Sequence, residues 1–213
     1  MKLKVCGMKY LENMEAVATL QPDFLGFIFW EPSSRFFNGK MGNIPKNIKK
    51  VGVFVDADLD YVVDRINQYN LDIVQLHGKE SPEFCKGLRN SNLGLKGKQP
   101  QIIKVFSIKD SFDFSILAPF EKVCDYFLFD TKGKLPGGNG YTFNWSVLEN
   151  YPSTKPYFLS GGIGVDDAYK IKEFLHTPAS KYCVALDVNS SFETEPGLKN
   201  IEKLKEFKTA LSI

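Results

Sequence analysis

The sequence contains few of the residues that metal sites need, and no segment typical of secretion or membrane insertion. His77 and His176 are the only histidines among 213 residues and lie far apart in the chain, so a zinc site has few imidazole ligands available. The four cysteines show no C-x-x-C spacing, and no secretory hydrophobic region follows Met1. No apolar stretch approaches the length that spans a bilayer. We therefore expect reduced thiols, a cytoplasmic location and no membrane partner.

An excess of charge of either sign is also missing. The chain carries 27 Lys and Arg against 25 Asp and Glu, a net charge of +2, with both signs interspersed. Its strongest basic run, KNIKK at residues 46–50, is short and fits a solvated loop between elements. The composition therefore predicts no nucleic-acid partner, because such binding requires basic residues clustered on one surface.

Hydrophobic residues, in contrast, are plentiful enough for one continuous core. They make up 43% of the chain and include 18 phenylalanines, so we expect a single domain over residues 1–213. Short apolar runs recur about every 20 to 30 residues, which is the length of one strand plus one crossover helix. The runs do not alternate polar with apolar residues, a pattern typical of parallel strands covered on both faces. They are residues 2–5, 24–29, 51–55, 72–76, 102–106, 126–129, 157–159 and 182–188.

Segments with helical spacing lie between these runs. In the interval 111–124, which is short and rich in Phe, we expect the helix to be reduced. The clearer stripes cover residues 59–69 and 201–211, and weaker ones cover 11–20, 82–88 and 165–175.

Eight strands alternating with helices predict an α/β fold, namely a closed (β/α)8 barrel of the TIM type. An open doubly wound sheet is the alternative, and it usually carries a Gly-rich fingerprint after its first strand. Here CGMK (residues 6–9) follows the first strand, and the glycine-rich turns come after strands six, seven and eight. The barrel is therefore favoured, with no second domain.

In such a barrel, residues just past the carboxyl end of each strand converge on one mouth, where active sites lie. Their side chains here are mostly polar, and glycines accompany them after the seventh strand. The set comprises Cys6, Arg35, Asp56, Gln75, His77, Asp130, Ser160, Gly161, Gly162, Asp187, Asn189, Ser190 and Ser191.

Two late turns in this set predict a phosphate site. Gly161 and Gly162, after strand seven, leave backbone N–H groups free to approach an anion, and Asn189, Ser190 and Ser191 follow strand eight. Glycines at strand ends also occur in plain turns, but the pairing of two such turns in a barrel favours phosphate. The long segment with Lys132, Lys134 and GGNG (residues 137–140) is suited to close over a ligand, and a simple surface turn has a similar composition.

Cys6 and Asp130 end the first and sixth apolar runs, so a thiol and a carboxyl group face the same mouth. They can serve as a general base and a general acid, although a buried Cys and a strand-end Asp also occur without such a role. The base must be a thiolate, and we expect a phosphosugar site with Arg35 nearby to lower the thiol pKa. Arg35 suits a carboxylate or a second phosphate, and His77 either orients the ligand or fills the mouth.

Seven motifs in order give the chain a family resemblance over nearly its full length. It resembles the phosphoribosylanthranilate isomerase family of tryptophan biosynthesis, although Ser191 stands where that family usually has Gly. The motifs are KVCGM (4–8), GFIF (26–29) with SR (34–35), VGVFV (51–55), VQLHG (74–78), FD (129–130) with GGNG (137–140) and FNW (143–145), LSGGI (159–163), and LDVNS (186–190).

The resemblance implies an Amadori rearrangement of N-(5-phosphoribosyl)anthranilate to 1-(2-carboxyphenylamino)-1-deoxyribulose 5-phosphate. It also implies that Asp130 is the general acid, that Cys6 is the general base, and that Arg35 holds the anthranilate carboxylate. The phosphate would lie in the turns after strands seven and eight. No cofactor and no metal is implied, and the only expected ligand is the phosphosugar, bound by a monomer or a homodimer.

Three alternatives stay open at this stage. A ribulose-phosphate epimerase uses a metal and several histidines, and two histidines are too few. An indole-glycerol-phosphate synthase needs a catalytic lysine at a strand end, for which Lys104 in the fifth run is the candidate. A non-catalytic phosphosugar-binding protein would keep the anion turns, but it would need neither Cys6 nor Asp130.

Overall fold

Eight parallel strands form the centre of the molecule, each hydrogen-bonded to the next in chain order, and β1 pairs with β8 to close the ring. The computed structural model describes residues 1–91, 99–109, 111–131 and 144–213. The predicted (β/α)8 barrel is confirmed. The strands are β1 (Lys2–Val5), β2 (Phe24–Ile28), β3 (Lys49–Phe54), β4 (Ile73–Leu76), β5 (Gln101–Ile108), β6 (Tyr126–Thr131), β7 (Tyr157–Leu159) and β8 (Cys183–Val188).

Helices cover the outside of the barrel, and the predicted reduction of the fifth crossover is confirmed. Among its described residues, that crossover holds only a 3-10 helix, Phe114–Phe120, and Pro119 inside it lacks the N–H that a longer helix would use. The sixth crossover contains another 3-10 helix, Trp145–Asn150. The α-helices are α1 (Leu11–Thr19), α2 (Leu59–Tyr69), α3 (Pro82–Asn90), α4 (Ala168–Leu175) and α5 (Ile201–Leu211). None of the described helices has the length and hydrophobicity needed to cross a bilayer.

The barrel interior has an apolar layer and, nearer the carboxyl ends of the strands, polar residues. Because side chains alternate along a strand, residues two positions beyond the apolar layer also face inward. Gln75 follows Ile73 in this way, and Asp187 follows Ala185. The apolar layer consists of Phe24, Val51, Ile73, Ile103, Val105, Leu128, Phe158 and Ala185. The inner surface therefore changes from apolar to polar just below the mouth.

A short antiparallel hairpin follows β8, formed by β9 (Glu193–Glu195) and β10 (Leu198–Lys199). Asn13 of α1 fixes this hairpin, because its side chain donates to the Lys199 carbonyl and accepts from the Lys199 N–H, both at 2.8 Å. The hairpin consequently lies against the loops that follow β1 and β2.

Candidate active site

Cys6 extends β1 by one residue and turns its thiol into the barrel. Its N–H donates to the Val188 carbonyl at 2.9 Å, so the β1–β8 ladder holds the backbone of Cys6. Gly26 on β2 makes room for the sulfur, because a Cβ at that position would lie 2.7 Å from Sγ. The Cys6 residue is only 5% exposed. The thiol therefore has a fixed position in a nearly dry environment.

A buried ion pair lies directly below this thiol. Lys4 Nζ is 2.8 Å from Asp187 Oδ1, and the two residues are Cα partners in adjacent strands. Burial opposes the charged form of Lys4, but the Asp187 carboxylate and the Cys6 thiol outweigh it and raise the pKa of Lys4. Burial raises the pKa of Asp187 as well, although Lys4 opposes this effect. Lys4 is thus a cation held beside the candidate base.

The expectation that Arg35 would lower the thiol pKa is wrong for the free protein. Burial raises the pKa of Cys6 above its ordinary value, and the cations that oppose this effect are Lys4 and Lys199. Arg35 is instead bound to Glu193. The sequence pattern pointed to the wrong cation because Lys4 sits inside an apolar strand and Lys199 is distant in the chain.

The structure predicts a large loss of stability when Lys4 is replaced by Met. The variant leaves the Asp187 carboxylate buried without its partner, so we expect the free energy of unfolding to fall by about 3–5 kcal/mol. Urea denaturation measures the change. Lys2→Met is the control, because Lys2 lies exposed on the same strand and its loss should change stability by less than about 0.5 kcal/mol. Equal stability of the Lys4→Met and Lys2→Met variants would show that Lys4 and Asp187 are not both charged in the folded protein.

Asp130 lies near the end of β6, beside His77, which follows β4. His77 Nε2 is 3.5 Å from Asp130 Oδ2, and the two side chains are 35% and 26% exposed. Asp130 is two positions beyond Leu128 of the inner apolar layer on β6, so its side chain faces inward. The candidate acid therefore faces the same barrel mouth as Lys4 and Cys6.

Gln75 lies in the interior below His77 and is 1% exposed. Its side-chain oxygen Oε1 accepts no hydrogen bond in the described structure. A buried acceptor of this kind is unfavourable unless a further donor approaches it, and the hydroxyl of a bound sugar is one such donor. The location keeps Gln75 among the candidate substrate-binding residues.

The two predicted anion turns lie against each other. Gly161 and Gly162 have φ values of +95° and +68°, in the region that favours glycine, and a Cβ on Gly161 would come within 2.1 Å of Thr131 Oγ1. The Ser191 hydroxyl lies 3.5 Å from the Gly162 carbonyl oxygen and so joins the turn after β8 to the turn after β7. Ser191 and its neighbour Ser190 belong to a single 3-10 turn, Ser190–Phe192.

Backbone N–H groups are available in both turns. Those of Gly162 and Ser191 donate to no acceptor within the described ranges. Unpaired N–H groups in adjacent turns form a concave site suited to an anion. The segment predicted to close over this site, with Lys132 and Lys134, lies outside the described residues.

Arg35 lies over the carboxyl end of β1 and is held by the hairpin after β8. Its Nε and Nη2 atoms donate to the Glu193 carboxylate at 2.6–2.9 Å. Glu193 also accepts from Lys199 Nζ at 2.6 Å, and Lys199 donates to Asn189 Oδ1 at 2.6 Å. Asn189 is therefore tied to a lysine rather than placed among the unpaired donors of the anion turns.

The lysine that kept the synthase alternative open does not face the mouth. Lys104 is 4% exposed, pairs with Glu80 at 3.0 Å, and donates to the Gly78 carbonyl at 2.7 Å. It follows Ile103, which faces inward, so its own side chain points outward. Lys104 therefore fastens the loop after β4. Among the described residues, no group of His, Cys, Asp and Glu could hold a metal ion.

Known proteins match this chain in sequence and in fold. The family model for N-(5'phosphoribosyl)anthranilate (PRA) isomerase matches residues 3–210. The N-(5'-phosphoribosyl)anthranilate isomerase of Parabacteroides distasonis is 41% identical, with 97% of this chain and 91% of that protein covered.

Solved structures of the same enzyme superpose on the whole chain. The phosphoribosyl anthranilate isomerase of Thermotoga maritima has a TM-score of 0.82 at 25% identity, with 100% of this chain and 98% of that one covered. Another isomerase structure, in complex with reduced 1-(O-carboxyphenylamino)-1-deoxyribulose 5-phosphate, has a TM-score of 0.77 at 23% identity and covers 100% of both chains. Because a family model and a close relative both span nearly all of a barrel whose mouth holds Cys6 and Asp130, the chain belongs to the N-(5'-phosphoribosyl)anthranilate isomerase family.

Proposed function

We propose that the protein converts N-(5-phosphoribosyl)anthranilate to 1-(2-carboxyphenylamino)-1-deoxyribulose 5-phosphate, a step of tryptophan biosynthesis, by general acid–base catalysis with Asp130 and Cys6. The observation that carries the proposal is a thiol and a carboxyl group from β1 and β6 around one mouth, in a chain of this family. The reduced phosphosugar bound to a related isomerase is an analogue of the product and supports this choice of substrate.

Asp130 acts first, as the acid that opens the sugar ring. It donates a proton to the ring oxygen while the bond from that oxygen to C1 breaks, and the nitrogen lone pair forms the C1=N bond of a Schiff base. The Cys6 thiolate then removes the proton from C2, and the electron pair of that C–H bond moves to give an enolamine. Protonation at C1 and loss of the C2 hydroxyl proton yield the ketone. Each correctly placed acid or base typically contributes about 10² to 10⁴ in rate.

Binding groups at two ends of the mouth hold the substrate between the acid and the base. We assign the phosphate to the turns with Gly161, Gly162, Ser190 and Ser191, and the anthranilate carboxylate to Arg35. Gln75 and His77 suit the sugar hydroxyls, because Gln75 Oε1 accepts no hydrogen bond in the described structure and His77 lies beside Asp130. Fixing the substrate at both ends lowers the entropic part of the barrier.

The sequence predicts that Asp187 and Asn189 bind the substrate directly. Their contacts in the structure instead favour an indirect role in substrate binding. The Asp187 carboxylate pairs with Lys4, and the Asn189 amide oxygen accepts from Lys199. A carboxylate would also repel a phosphate at short range. We therefore propose that these two residues act on the substrate through the lysines they hold.

Turnover of freshly prepared phosphoribosylanthranilate tests the proposed function. The purified protein should remove the anthranilate-type fluorescence of the substrate with saturation kinetics. Two outcomes separate the alternatives: release of an indole product indicates the synthase reaction, and binding without turnover indicates a phosphosugar-binding protein. Either outcome would overturn the proposal.

Arg35→Ala is expected to raise KM by about 10- to 100-fold and to change kcat much less. The guanidinium supplies a charge-assisted contact to the carboxylate that is present in both the ground state and the transition state. Steady-state kinetics measure both constants. Arg65→Ala is the charge-matched control, because Arg65 lies on α2 and stacks on Tyr61, away from the mouth. Unchanged KM and kcat in Arg35→Ala would show that Arg35 does not bind the substrate.

A further inference from the structure

Glu193 lies at the centre of a buried charge network that the reaction scheme does not use. Its carboxylate binds Arg35 on one side and Lys199 on the other, and it also accepts from the Gly197 N–H at 3.0 Å. The side chains of Glu193 and Lys199 are 5% and 0% exposed. The network joins the loop after β2 to the hairpin after β8.

The geometry of this contact leaves part of the Arg35 fork unused. Glu193 takes the Nε–H and one side of Nη2, and within the described residues Nη1 donates to no protein acceptor. A guanidinium has five N–H donors in one plane, so the edge formed by Nη1 and the second Nη2 hydrogen can still bind a carboxylate with two parallel bonds. One carboxylate fixes the plane of the fork, and the opposite edge remains for another.

The position of Arg35 is also fixed by its neighbours. The Arg35 side chain passes over Gly7, where a Cβ would lie 2.9 Å from Arg35 Cδ and 2.6 Å from Asn189 Oδ1. Gly7 adjoins Cys6, so the fork is held at the edge of the reaction site. The side chain is 14% exposed, whereas Glu193 behind it is 5% exposed. The guanidinium is thus the more accessible end of the network.

The charges of the network sum to a cation. Arg35 and Lys199 contribute two positive charges, and Glu193 contributes one negative charge. Burial acts against the Glu193 carboxylate, but Arg35 and Lys199 outweigh it and hold the pKa of Glu193 below its ordinary value. Burial lowers the pKa of Lys199, while Glu193 opposes that effect. The site therefore presents one unbalanced positive charge to an anionic group.

We propose that Glu193 is a positioning residue that, backed by Lys199, fixes Arg35 so that the free edge of its guanidinium selects a substrate carrying a ring carboxylate. This inference rests on the proposed function and adds the residue that lets the site distinguish substrates with a ring carboxylate from substrates without one. A buried ion network is a weak source of stability compared with apolar packing. Its value here lies in orienting the one group that distinguishes an anthranilate from an uncharged aniline.

Two ligands that differ in one group test the proposal. The first is the reduced 1-(2-carboxyphenylamino)-1-deoxyribulose 5-phosphate, and the second is the same phosphosugar with an aniline ring that lacks the carboxylate. Calorimetric titration gives Kd for both ligands with the wild type, Glu193→Gln, Arg35→Ala and the double variant. Glu195→Gln is the matched control, because it removes the same charge from an exposed position two residues along the same strand.

We expect Glu193→Gln to raise the Kd of the carboxylate ligand by about 10- to 100-fold and the Kd of the aniline ligand by less than about twofold. Glu195→Gln should change neither. In the Arg35→Ala background, Glu193→Gln should have little further effect, because residues that act through one another are not additive. Glu193→Asp, which keeps the charge, should lose less affinity for the carboxylate ligand than Glu193→Gln does. It replaces Glu193→Gln in the test if that variant does not fold.

Three results would overturn the positioning role: equal weakening of both ligands, an undiminished effect in the Arg35→Ala background, or tighter binding of the carboxylate ligand by Glu193→Gln. The last would show that Glu193 competes with the substrate for Arg35. A failure of the proposed function would give a different result. In that case the wild type would neither turn over phosphoribosylanthranilate nor prefer the carboxylate ligand to the aniline ligand.

Discussion

Replacement of Cys6 by Ser is expected to lower kcat by about 10²- to 10⁴-fold while changing KM little. Serine keeps the shape of the side chain, so the substrate should still bind. A serine hydroxyl is a far weaker acid than a thiol, and hardly any of it is ionised when it is needed as a base. The removal of the C2 proton should therefore become the slow step.

The pH dependence of kcat/KM in the wild type is a second test of Cys6 as the general base. Burial raises the pKa of Cys6 above its ordinary value of 9.0, and the active base is the thiolate. The value of kcat/KM should consequently rise with pH and still be rising above neutrality, because it follows the ionisation of the free enzyme. Lys4 and Lys199 limit the shift, since both cations favour the thiolate.

Cys183→Ser is the matched control for the Cys6 variant. Cys183 is also a buried thiol, but it packs in the outer core between the strands and helices. The control should keep kcat within about a factor of two, even if its stability falls. A Cys6→Ser enzyme with kcat near that of the wild type would show that another group is the base.

Asp130→Asn is expected to lower kcat by a similar factor, about 10² to 10⁴, for a different reason. The amide matches the carboxyl group in size and cannot transfer a proton to the ring oxygen, so ring opening should become the slow step. Steady-state kinetics measure the loss, and Asp60→Asn on the exposed side of α2 should leave kcat unchanged. If Asp130→Asn retained the wild-type kcat, the acid would have to be sought elsewhere in the mouth, with His77 as the nearest candidate.

A substrate with deuterium at C2 separates the two roles. The Cys6→Ser enzyme should show a primary isotope effect on kcat, because breaking the C2–H bond limits its rate. The Asp130→Asn enzyme should show almost none, because ring opening precedes that step. Exchanged results would mean that the acid and base assignments are reversed.

Local patterns predicted the barrel and the position of its mouth. Eight apolar runs without alternation indicated parallel strands, and this prediction is confirmed. Their spacing also indicated a helix in each crossover, but the crossover from β2 to β3 contains no helix, and the fifth holds a 3-10 helix. The predicted bounds of β1 and β7 match the structure, and those of the other strands differ by one or two residues. For example, β3 begins at Lys49, because the lysines at its start extend their ammonium groups to Gln101 and to the Tyr69 carbonyl. Such contacts come from segments far along the chain.

The sequence also indicated that the side chains at the ends of β1, β4, β6, β7 and β8 meet, and the described structure brings them to one mouth. It did not reveal Lys4 as the partner of Asp187. One signal was available: a lysine within an apolar strand, two positions before Cys6 and on the same face, requires a buried counter-charge. No comparable signal marked Glu193 and Lys199, because their segment has the composition of a surface turn.

The sequence by itself determined the strand count, the parallel topology and the residue types at the strand ends, because these depend on hydrophobic spacing within short segments. Only the tertiary structure decided which charges meet. Lys4 and Asp187 are 183 residues apart and become neighbours through the closure of the barrel between β1 and β8. Arg35 and Glu193, separated by 158 residues, meet only because the hairpin after β8 packs beside the loop after β2. The electrostatic environment of the candidate base and of the carboxylate-binding arginine is thus a property of chain closure, which no local pattern encodes.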